Sequence, residues 1–240
     1  PGFGDGSKVF FGSLSGGRFT DAVLVDRNVV RIRRFDGKQF GKVEPWTTIE
    51  IFDRAVWGPV PVALFGDEKA HLVWFSNYPE FSMMRVYVRT FSTGNQFTDV
   101  FFNIMGGFTL GTRETHLAQL TLSPNADLVL LNEDSIKVRR YNHNEREPFG
   151  PEEDWTWDDG PLYGTMGTFF AKMGQGVDAA IVVDEDKIVI RQSDGERFRP
   201  AQTWLLPDGP LFPGRPTAFA DIFYAGRAAA IYVDDHVAIA

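Results

Sequence analysis

Short apolar runs, each followed by an alternating segment, recur along this chain. In the clearest copy, the run from Ile181 to Val183 is β-branched, and the segment 188–191 alternates between two faces. The first pattern is typical of a buried strand, and the second of a strand with two different faces. Asp194-Gly195 then gives a strong hairpin signal, because glycine accepts the positive φ of a primed turn. The stretch 178–198 therefore predicts two strands and the start of a third.

The same unit occurs five times along the sequence. A polar residue ends the first strand of each copy, and successive copies of it are 50–56 positions apart: Asp26, Ser76, Asn132, Asp184 and Asp234. Repeats of about this length that contain several short strands are the sequence sign of a β-propeller. The pattern predicts an all-β fold, a β-propeller of five blades with about four antiparallel strands each.

The repeats divide the whole chain into blades. We predict a single β-propeller domain over residues 1–240, with blades at about 9–52, 61–102, 115–157, 168–206 and 217–240. Each blade starts with an innermost strand, expected at 62–64 in the second blade, and ends with a fourth segment, expected at 149–155 in the third. The last copy lacks a fourth segment. Either the fifth blade has three strands, or the chain is part of a longer ring.

Composition narrows the classes of partner. The chain has 240 residues with 22 Phe and no Cys, so aromatic packing rather than disulfides is expected to hold the core. A net charge of −8 disfavours nucleic acid and anionic membranes as partners. No apolar run approaches the length of a membrane span, and no signal peptide is visible. The compartment stays open, with secretion and the cell surface among the alternatives.

Parts of the third and fourth copies resemble a known repeat. The stretches 149–155, 164–170, 178–183 and 191–198 are similar to the FG-GAP or VCBS-like repeats of the Photorhabdus lectins and the Psathyrella velutina lectin. The resemblance extends over all five copies and is weakest in the second. It implies a β-propeller that binds sugars in shallow aromatic pockets between neighbouring blades. Related repeats also occur in integrins, toxins and enzymes, which keeps other functions open.

The chain departs from that family in two respects. Members often carry an Asp-rich calcium loop, whereas none of the corresponding connections here has the several closely spaced carboxylates that calcium needs. The four His residues lie in separate repeats without metal-ligand spacing, so we predict no metal and no cofactor. The bacterial lectins resemble seven blades, whereas five are visible here.

Aromatic residues at the ends of the fourth segments and in the linkers are candidate sugar-binding residues. An indole face matches the apolar face of a pyranose ring, and a nearby charged or backbone group can bond to the hydroxyls. Two arginines lie in linkers similar to the family's Gly-Thr-Arg-Gly-Thr. The predicted ligand-binding residues are Trp46, Trp57, Arg113, Trp155, Trp157, Tyr163, Trp204, Phe212 and Arg215. The competing interpretation is that the tryptophans only pack blade against blade.

Charged residues also repeat. The acidic turns could form a cation-binding ring, but solvated hairpin turns are the favoured interpretation. Arginines on the repeated partner strand could bind phosphate, although the acidity of the chain favours salt bridges. They are Arg31, Arg33, Arg34, Arg89, Arg139, Arg140 and Arg191.

The sequence contains no strong catalytic motif. Residues 12–16 carry Leu14 where a nucleophile elbow would have serine, and Asp221 has no second carboxylate at the equivalent positions of other repeats. We therefore predict a non-enzymatic, multivalent lectin whose partners are glycans, either monosaccharides or glycoconjugates, and leave homo-oligomerisation open. The alternative is a protein-interaction scaffold, a module of a toxin or surface protein, in which residues 78–84 are exposed. A five-bladed glycosidase is third.

Overall fold

The structure, a computed structural model, is described over part of the chain. The described residues are 8–14, 19–26, 29–48, 55–67, 69–91, 97–105, 108–144, 147–173, 176–207, 217–220, 228–233 and 237–239. They form two compact units, the first with two sheets and the second with three. Within these ranges, no helix is long and apolar enough to cross a membrane.

The first unit contains sheets 1 and 2. Sheet 1 has strands β1 (Lys8–Gly12), β2 (Asp21–Asp26), β3 (Val29–Arg33) and β4 (Glu44–Thr48). Sheet 2 has β5 (Ala55–Val62), β6 (His71–Tyr78), β7 (Met83–Phe91) and β8 (Phe97–Met105). A single 3₁₀ turn, Pro79–Phe81, joins β6 to β7.

The second unit contains sheets 3, 4 and 5. Sheet 3 has β9 (Glu114–Ala118), β10 (Asp127–Leu131), β11 (Ile136–Arg139) and β12 (Glu153–Asp154). Sheet 4 has β13 (Gly167–Ala171), β14 (Ala179–Val183), β15 (Lys187–Gln192) and β16 (Gln202–Leu205). Sheet 5 has β17 (Thr217–Ala220), β18 (Ala229–Val233) and β19 (Val237–Ile239).

Every sheet is an antiparallel meander in which sequential strands are neighbours, as in a propeller blade. The second strand of each four-stranded sheet is the most buried, and all five residues of both β10 and β14 are buried. The β-branched and leucine runs that marked these strands in the sequence are there because both of their faces are covered. Four sheets are complete four-stranded blades. The fifth has three strands among the described residues, so a count of five blades stays a prediction, as does one domain over 1–240.

Neighbouring sheets within a unit pack through apolar side chains. In the first unit, Leu72 and Trp74 of β6 pack with Val23 and Val25 of β2. In the second unit, sheets 3 and 4 share a cluster of buried residues: Ala118, Leu120, Val129, Leu131, Ile136, Val138, Trp155, Trp157, Ala180, Val182, Val189 and Phe198. The buried aromatic members of these clusters are Trp74 and Tyr87 in the first unit and Trp155, Trp157 and Phe198 in the second, and the other buried members are aliphatic.

A glycine–threonine linker closes sheets 3 and 4 in the same way. Thr165 donates from its backbone N–H and its hydroxyl to the Asp184 carboxylate, and Thr112 does the same to the Asn132 side-chain oxygen. The preceding Gly164 has no room for a side chain, because a Cβ there would lie 2.2 Å from the Val183 carbonyl oxygen. In these two sheets, the polar residue at the end of the second strand, Asn132 or Asp184, therefore accepts hydrogen bonds from the linker that precedes the first strand.

The strand arginines are paired, which confirms the salt-bridge prediction for six of them among the described residues. The pairs are Arg31–Asp26, Arg34–Glu44, Arg89–Asp99, Arg139–Glu152, Arg140–Glu153 and Arg191–Asp159. Most of these pairs are partly exposed and contribute little to stability. Arg191 differs, because its side chain is only 1% exposed.

Two predicted boundaries differ from the structure. The first strand of sheet 2 runs over Ala55–Val62 rather than starting at 62, so Trp57 lies inside a strand. The fourth segment of sheet 3 contains only the two-residue strand β12. Its first residue, Phe149, is instead fully buried in the first unit, 6.4 Å from the Phe75 ring. Aromatic burial determines the position of Phe149, although the repeat pattern groups it with sheet 3.

Candidate functional site

A cleft of about 600 Å³ lies in the second unit, where the chain leaves β12 and where β15 turns towards β16. Segment 154–159 forms one wall, and β15 with the turn after it forms the other. The lining residues are Asp154, Trp155, Thr156, Trp157, Asp158, Asp159, Arg191, Asp194, Arg197, Phe198, Arg199 and Pro200. The cleft combines aromatic side chains with charged groups of both signs.

Three aromatic residues form the apolar part of this cleft. The Trp155 and Trp157 rings lie 5.4 Å and 5.2 Å from the Phe198 ring, both edge to face. Both indoles are largely buried, and each N–H has a partner: Trp155 donates to Glu153, and Trp157 donates to the Pro161 carbonyl at 2.9 Å. Their orientation is therefore fixed, and exposures of 3% and 8% are those of tryptophans that pack neighbouring sheets together.

Arg191 is the buried cation of the cleft. Its guanidinium contacts the Asp159 carboxylate at 2.5 Å and donates to the Asp159 carbonyl at 2.9 Å. The same group lies 4.6 Å from the centre of the Trp157 ring, in cation–π geometry. Its Nε is buried and has no hydrogen-bond partner among the described residues. Arg191 thus holds segment 157–159 against β15 and keeps one donor unused.

The carboxylates of Asp154, Asp159 and Asp194 in the cleft stay ionised at neutral pH. Desolvation raises the pKa of Asp159, but the hydrogen bond and the charge of Arg191 outweigh it, and the net direction is downward. The backbone N–H groups of Glu196 and Arg197 donate to Asp194 and lower its pKa. The pKa of Asp154 lies well below its usual range, mainly because Lys137 donates to it. These carboxylates can accept hydrogen bonds and are poorly suited to donate a proton.

A second cleft of about 580 Å³ in the same unit shares Asp194 with the first. It is lined by Thr121, Leu122, Ser123, Arg140, Tyr141, Asp194, Gly195 and Glu196. Leu122 is 84% exposed there, and Arg140 pairs with Glu153. This cleft has hydroxyl groups and an aliphatic side chain but lacks an indole.

Arg113 and Tyr163, two predicted site residues, meet in a separate polar cluster of the second unit. The Arg113 guanidinium lies 4.4 Å from the centre of the Tyr163 ring and 2.8 Å from the Glu133 carboxylate. The hydrogen bond from Arg113 to Glu133 is the largest contribution that raises the arginine pKa. Arg113 covers one face of the Tyr163 ring, and Tyr163 also packs against the core that sheets 3 and 4 share.

The other predicted residues occupy different environments. The Trp46 ring is stacked on Phe91 with centroids 3.4 Å apart, and Trp57 meets Phe75 edge to face. Trp204 is 51% exposed on the outer strand β16. Phe212 and Arg215 lie outside the described residues. Within the second unit, the structure therefore brings Trp155 and Trp157 together and places Arg113 with Tyr163.

The sequence prediction omitted Asp159, Arg191, Asp194 and Arg199 from the site. Arg191 was expected only as a salt-bridged strand residue, and nothing in the repeat pattern shows that its partner follows Trp157 in the linker. Two signals in the sequence could have indicated the site: the Trp-Asp-Asp run at 157–159, and the arginine at 191 that follows the apolar run 188–190. In the part of the chain that the structure describes, no group of His, Cys, Asp and Glu could hold a metal ion.

Comparison with known proteins shows similarity at the level of structure. No family model and no curated protein matches the sequence. An Agrocybe aegerita lectin that recognises non-reducing terminal N-acetylglucosamine is 17% identical with a TM-score of 0.52, over 97% of this chain and 62% of that chain. The Photorhabdus luminescens Tc holotoxin pore is 16% identical with a TM-score of 0.51, over 96% of this chain. The TcdB2–TccC3–Cdc42 complex is 15% identical with a TM-score of 0.54.

The extent of these matches limits what they show. The chain spans 62% of the length of the lectin, 13% of the holotoxin chain and 14% of the TcdB2–TccC3 chain. At 15–17% identity the similarity concerns the fold alone. Together with the four-stranded antiparallel sheets, it identifies the chain as an all-β protein with the β-propeller fold.

Proposed function

We propose that this protein is a non-catalytic, carbohydrate-binding β-propeller and that the cleft around Trp157, Asp159 and Arg191 is one of its sugar sites. The observation that carries the proposal is the ion pair of Arg191 and Asp159 held against the Trp157 ring. The resemblance of the repeats to propeller lectins and the structural similarity to an N-acetylglucosamine-recognising lectin support it.

The chemistry of the cleft suits a sugar. A pyranose has an apolar face of C–H groups and a rim of hydroxyls that both donate and accept hydrogen bonds. The carboxylates of Asp159 and Asp194 can accept hydrogen bonds, and the exposed side chains of Arg197 and Arg199 can donate them. Trp155, Trp157 and Phe198 are 3%, 8% and 8% exposed, so they leave only a small apolar surface for the sugar ring. Because these polar groups are fixed by one another, they are oriented before a ligand arrives, which lowers the entropic cost of binding.

The same groups argue against glycoside hydrolysis. A glycosidase needs one carboxylic acid that stays protonated at the working pH, and such an acid has a raised pKa. The pKa values of Asp154, Asp159 and Asp194 are lowered. We therefore rank binding without catalysis above the glycosidase hypothesis.

The proposal extends to several sites. Trp46, Trp57, the pair of Arg113 and Tyr163, and Trp204 are proposed as further contacts, as are Phe212 and Arg215. Each such site would be shallow and weak, and simultaneous binding of several glycans on one surface would raise the overall strength. Glycans displayed on a surface are therefore the proposed partners.

The test uses a matched pair of variants. We expect the wild-type protein to bind glycans on an array, with N-acetylglucosamine-terminated chains as the first probe, and to bind the best ligand in calorimetry. Asp159→Asn should weaken that binding about tenfold, or about 1.4 kcal/mol, because the amide replaces an ionised acceptor. Asp26→Asn is the control, since Asp26 also pairs with an arginine and is similarly exposed. A blank array, or equal affinity in Asp159→Asn and wild type, would refute the proposal.

A protein-interaction scaffold is the second candidate. The similarity to Tc toxin structures and the exposed Phe81, at 63%, favour it. The structure buries Met84 and packs Tyr78 near the core of the first unit, so the exposed segment 78–84 is smaller than the sequence predicts. Binding of a protein that depends on Phe81 and ignores free sugars would support this alternative.

A further inference from the structure

Among the described residues, the outer strand of sheet 2 has an edge that no other strand covers. β8 is nine residues long, and within the described residues no strand pairs with its free edge. Phe97, Val100 and Phe101 are exposed by 40%, 38% and 53%. The strand contains no Lys, Arg or Pro, and Asp99 is its one charged residue. Natural proteins usually protect such edges, because an open row of N–H and C=O groups pairs with another strand.

The other outer strands follow that rule. β4 contains Pro45, and the ladder between β3 and β4 has a register shift at Val30 and Arg31. β12 has two residues, and β16 has four. Short length, proline and irregular pairing each make a strand edge a poor template. β8 has none of these features, so its long open edge is specific to this sheet.

The side chains of β8 are complementary to those of a second β8. Phe97, Asp99, Phe101 and Asn103 share one face, because side chains alternate along a strand. If two copies pair antiparallel with Phe101 opposite Phe101, then Asp99 lies opposite Asn103 of the other copy. This register therefore places one aromatic pair between two identical polar pairs, as twofold symmetry requires.

The polar residues on this face leave suitable groups for that pairing. Asn103 accepts a hydrogen bond from Arg85 at 2.8 Å through Oδ1, which leaves its Nδ2 hydrogens for another acceptor. Asp99 is held by two 2.6 Å bonds from Arg89, and each carboxylate oxygen can accept a further bond. Arg85 lies over the rings of Tyr78 and Phe101, and no carboxylate pairs with it among the described residues. A second copy would bring Asp99 next to Asn103 and towards Arg85.

We propose that β8 pairs antiparallel with β8 of a second copy of this chain, about a twofold axis at Phe101, and so forms a homodimer. The partner is the chain itself because the face supplies both members of each contact. Arg85, which has no carboxylate partner among the described residues, lies beside Asn103 at one end of the face, and Asp99, paired with Arg89, lies at the other end. The twofold axis sets Arg85 of one copy near Asp99 of the other. The pairing also covers the exposed rings of Phe97 and Phe101.

The first test measures mass against concentration by light scattering or sedimentation equilibrium. We expect the wild-type chain to reach twice its own mass as concentration rises. Phe101→Lys should raise the dissociation constant at least about tenfold, because it adds a desolvated like charge on the axis. Leu122→Lys is the matched control, since Leu122 is an exposed aliphatic residue on a different sheet, and it should leave the mass unchanged.

Asn103→Asp separates association from folding. Inside one chain the new carboxylate would pair with Arg85, so the melting temperature should be kept or raised. Between copies it would face Asp99, so the dimer should weaken about tenfold or more. Because the natural chain has no Cys, Phe101→Cys should also give a covalent dimer on mild oxidation, whereas Leu122→Cys should not.

Two results would overturn the proposal. One is a wild-type chain that keeps the mass of a single copy at every concentration. The other is a dimer that Phe101→Lys and Asn103→Asp leave intact, because it would then use another face. Neither result depends on sugar binding, which the variants in the first cleft test separately.

Discussion

Asp178 and Gln119 join sheets 3 and 4 of the second unit through two hydrogen bonds. The backbone N–H of Asp178 donates to the Gln119 carbonyl at 2.7 Å, and the Asp178 carboxylate accepts the Gln119 N–H at 2.8 Å. Burial raises the pKa of Asp178 to about 6, although the Gln119 N–H and the charge of Lys172 oppose this, and the nearby Asp127 adds to it. The protein therefore holds a pH-sensitive group between two blades.

We expect stability to depend on the ionisation of Asp178. Its pKa in the folded state lies above the ordinary value of 3.8, so protonation favours folding. The stabilising contribution is fully present below pH 3.8 and is lost as pH rises through about 6. Its upper limit is about 3 kcal/mol, because each tenfold change in proton affinity between the folded and unfolded states corresponds to about 1.4 kcal/mol.

Asp178→Asn tests this expectation. The amide oxygen can still accept the Gln119 N–H, but the amide carries no charge. The variant should therefore have a higher melting temperature than wild type at about pH 8, and the difference between the two melting temperatures should be smaller at about pH 4. Asp186→Asn is the control, because Asp186 is a mostly exposed turn carboxylate. Thermal unfolding across this pH range measures both. Equal pH slopes for wild type and Asp178→Asn would contradict the assignment.

Gly164→Ala should be strongly destabilising. The new Cβ would lie 2.2 Å from the Val183 carbonyl oxygen and 2.6 Å from that of Gly167, so the linker must move. Because the linker hydrogen bonds to Asp184 depend on this close approach, we expect a loss of about 3 kcal/mol or more. Gly41→Ala is the comparison, since its nearest neighbour is an atom at 3.4 Å. Urea denaturation that gives similar midpoints for both variants would be inconsistent with a linker that needs glycine.

Arg191→Lys should cost about 2 kcal/mol of unfolding free energy. Lysine keeps the positive charge but loses the planar guanidinium that contacts Asp159 through two groups and lies over Trp157. Arg31→Lys, in the exposed pair with Asp26, should change stability by less than about 0.5 kcal/mol. Chemical denaturation with tryptophan fluorescence measures the difference. If Arg191→Lys leaves the free energy of unfolding unchanged, then a positive charge without the guanidinium group is sufficient to stabilise the cleft.

The two tryptophans of β4 and β16 should behave differently. Trp46 is stacked on Phe91, so Trp46→Ala should destabilise the protein by about 3 kcal/mol. Trp204 is half exposed, so Trp204→Ala should stay within about 0.5 kcal/mol of wild type. Calorimetric unfolding of both variants checks this. If Trp204→Ala unfolds as readily as Trp46→Ala, then Trp204 makes contacts beyond those described.

The strands could be predicted from the repeat pattern because the apolar runs of that pattern reflect burial. The run Ile181–Val183 became β14, whose residues are all buried, and the segment after it became β15. The predicted difference between the two faces of that segment was wrong, because residues 188–191 are all buried. Strand pairing within a sheet follows from adjacency in sequence, so the meander also followed from the pattern. What failed was local: the first strand of sheet 2 starts at Ala55 rather than at 62, with register shifts on both sides of Trp57 that a repeat does not encode.

The candidate site was predictable only in its aromatic half. Trp155 and Trp157 stand in and just after the repeated fourth segment, so the pattern selects them. Asp159 and Arg191 are 32 residues apart, and their ion pair forms only when a linker folds back over the next sheet. No periodicity indicates that contact, because it depends on one linker and one strand position rather than on the shared module.

The threonine contacts of the linkers suggest how a chain of this kind can change length. Thr165 and Asp184 belong to the same repeat, as do Thr112 and Asn132, so each of these copies carries both the donor and the acceptor that secure its entry. A tandem duplication of one whole repeat would therefore add the linker threonine and its acceptor together with the strands. Gene duplication could therefore add or remove whole copies while the neighbouring ones keep their own closures.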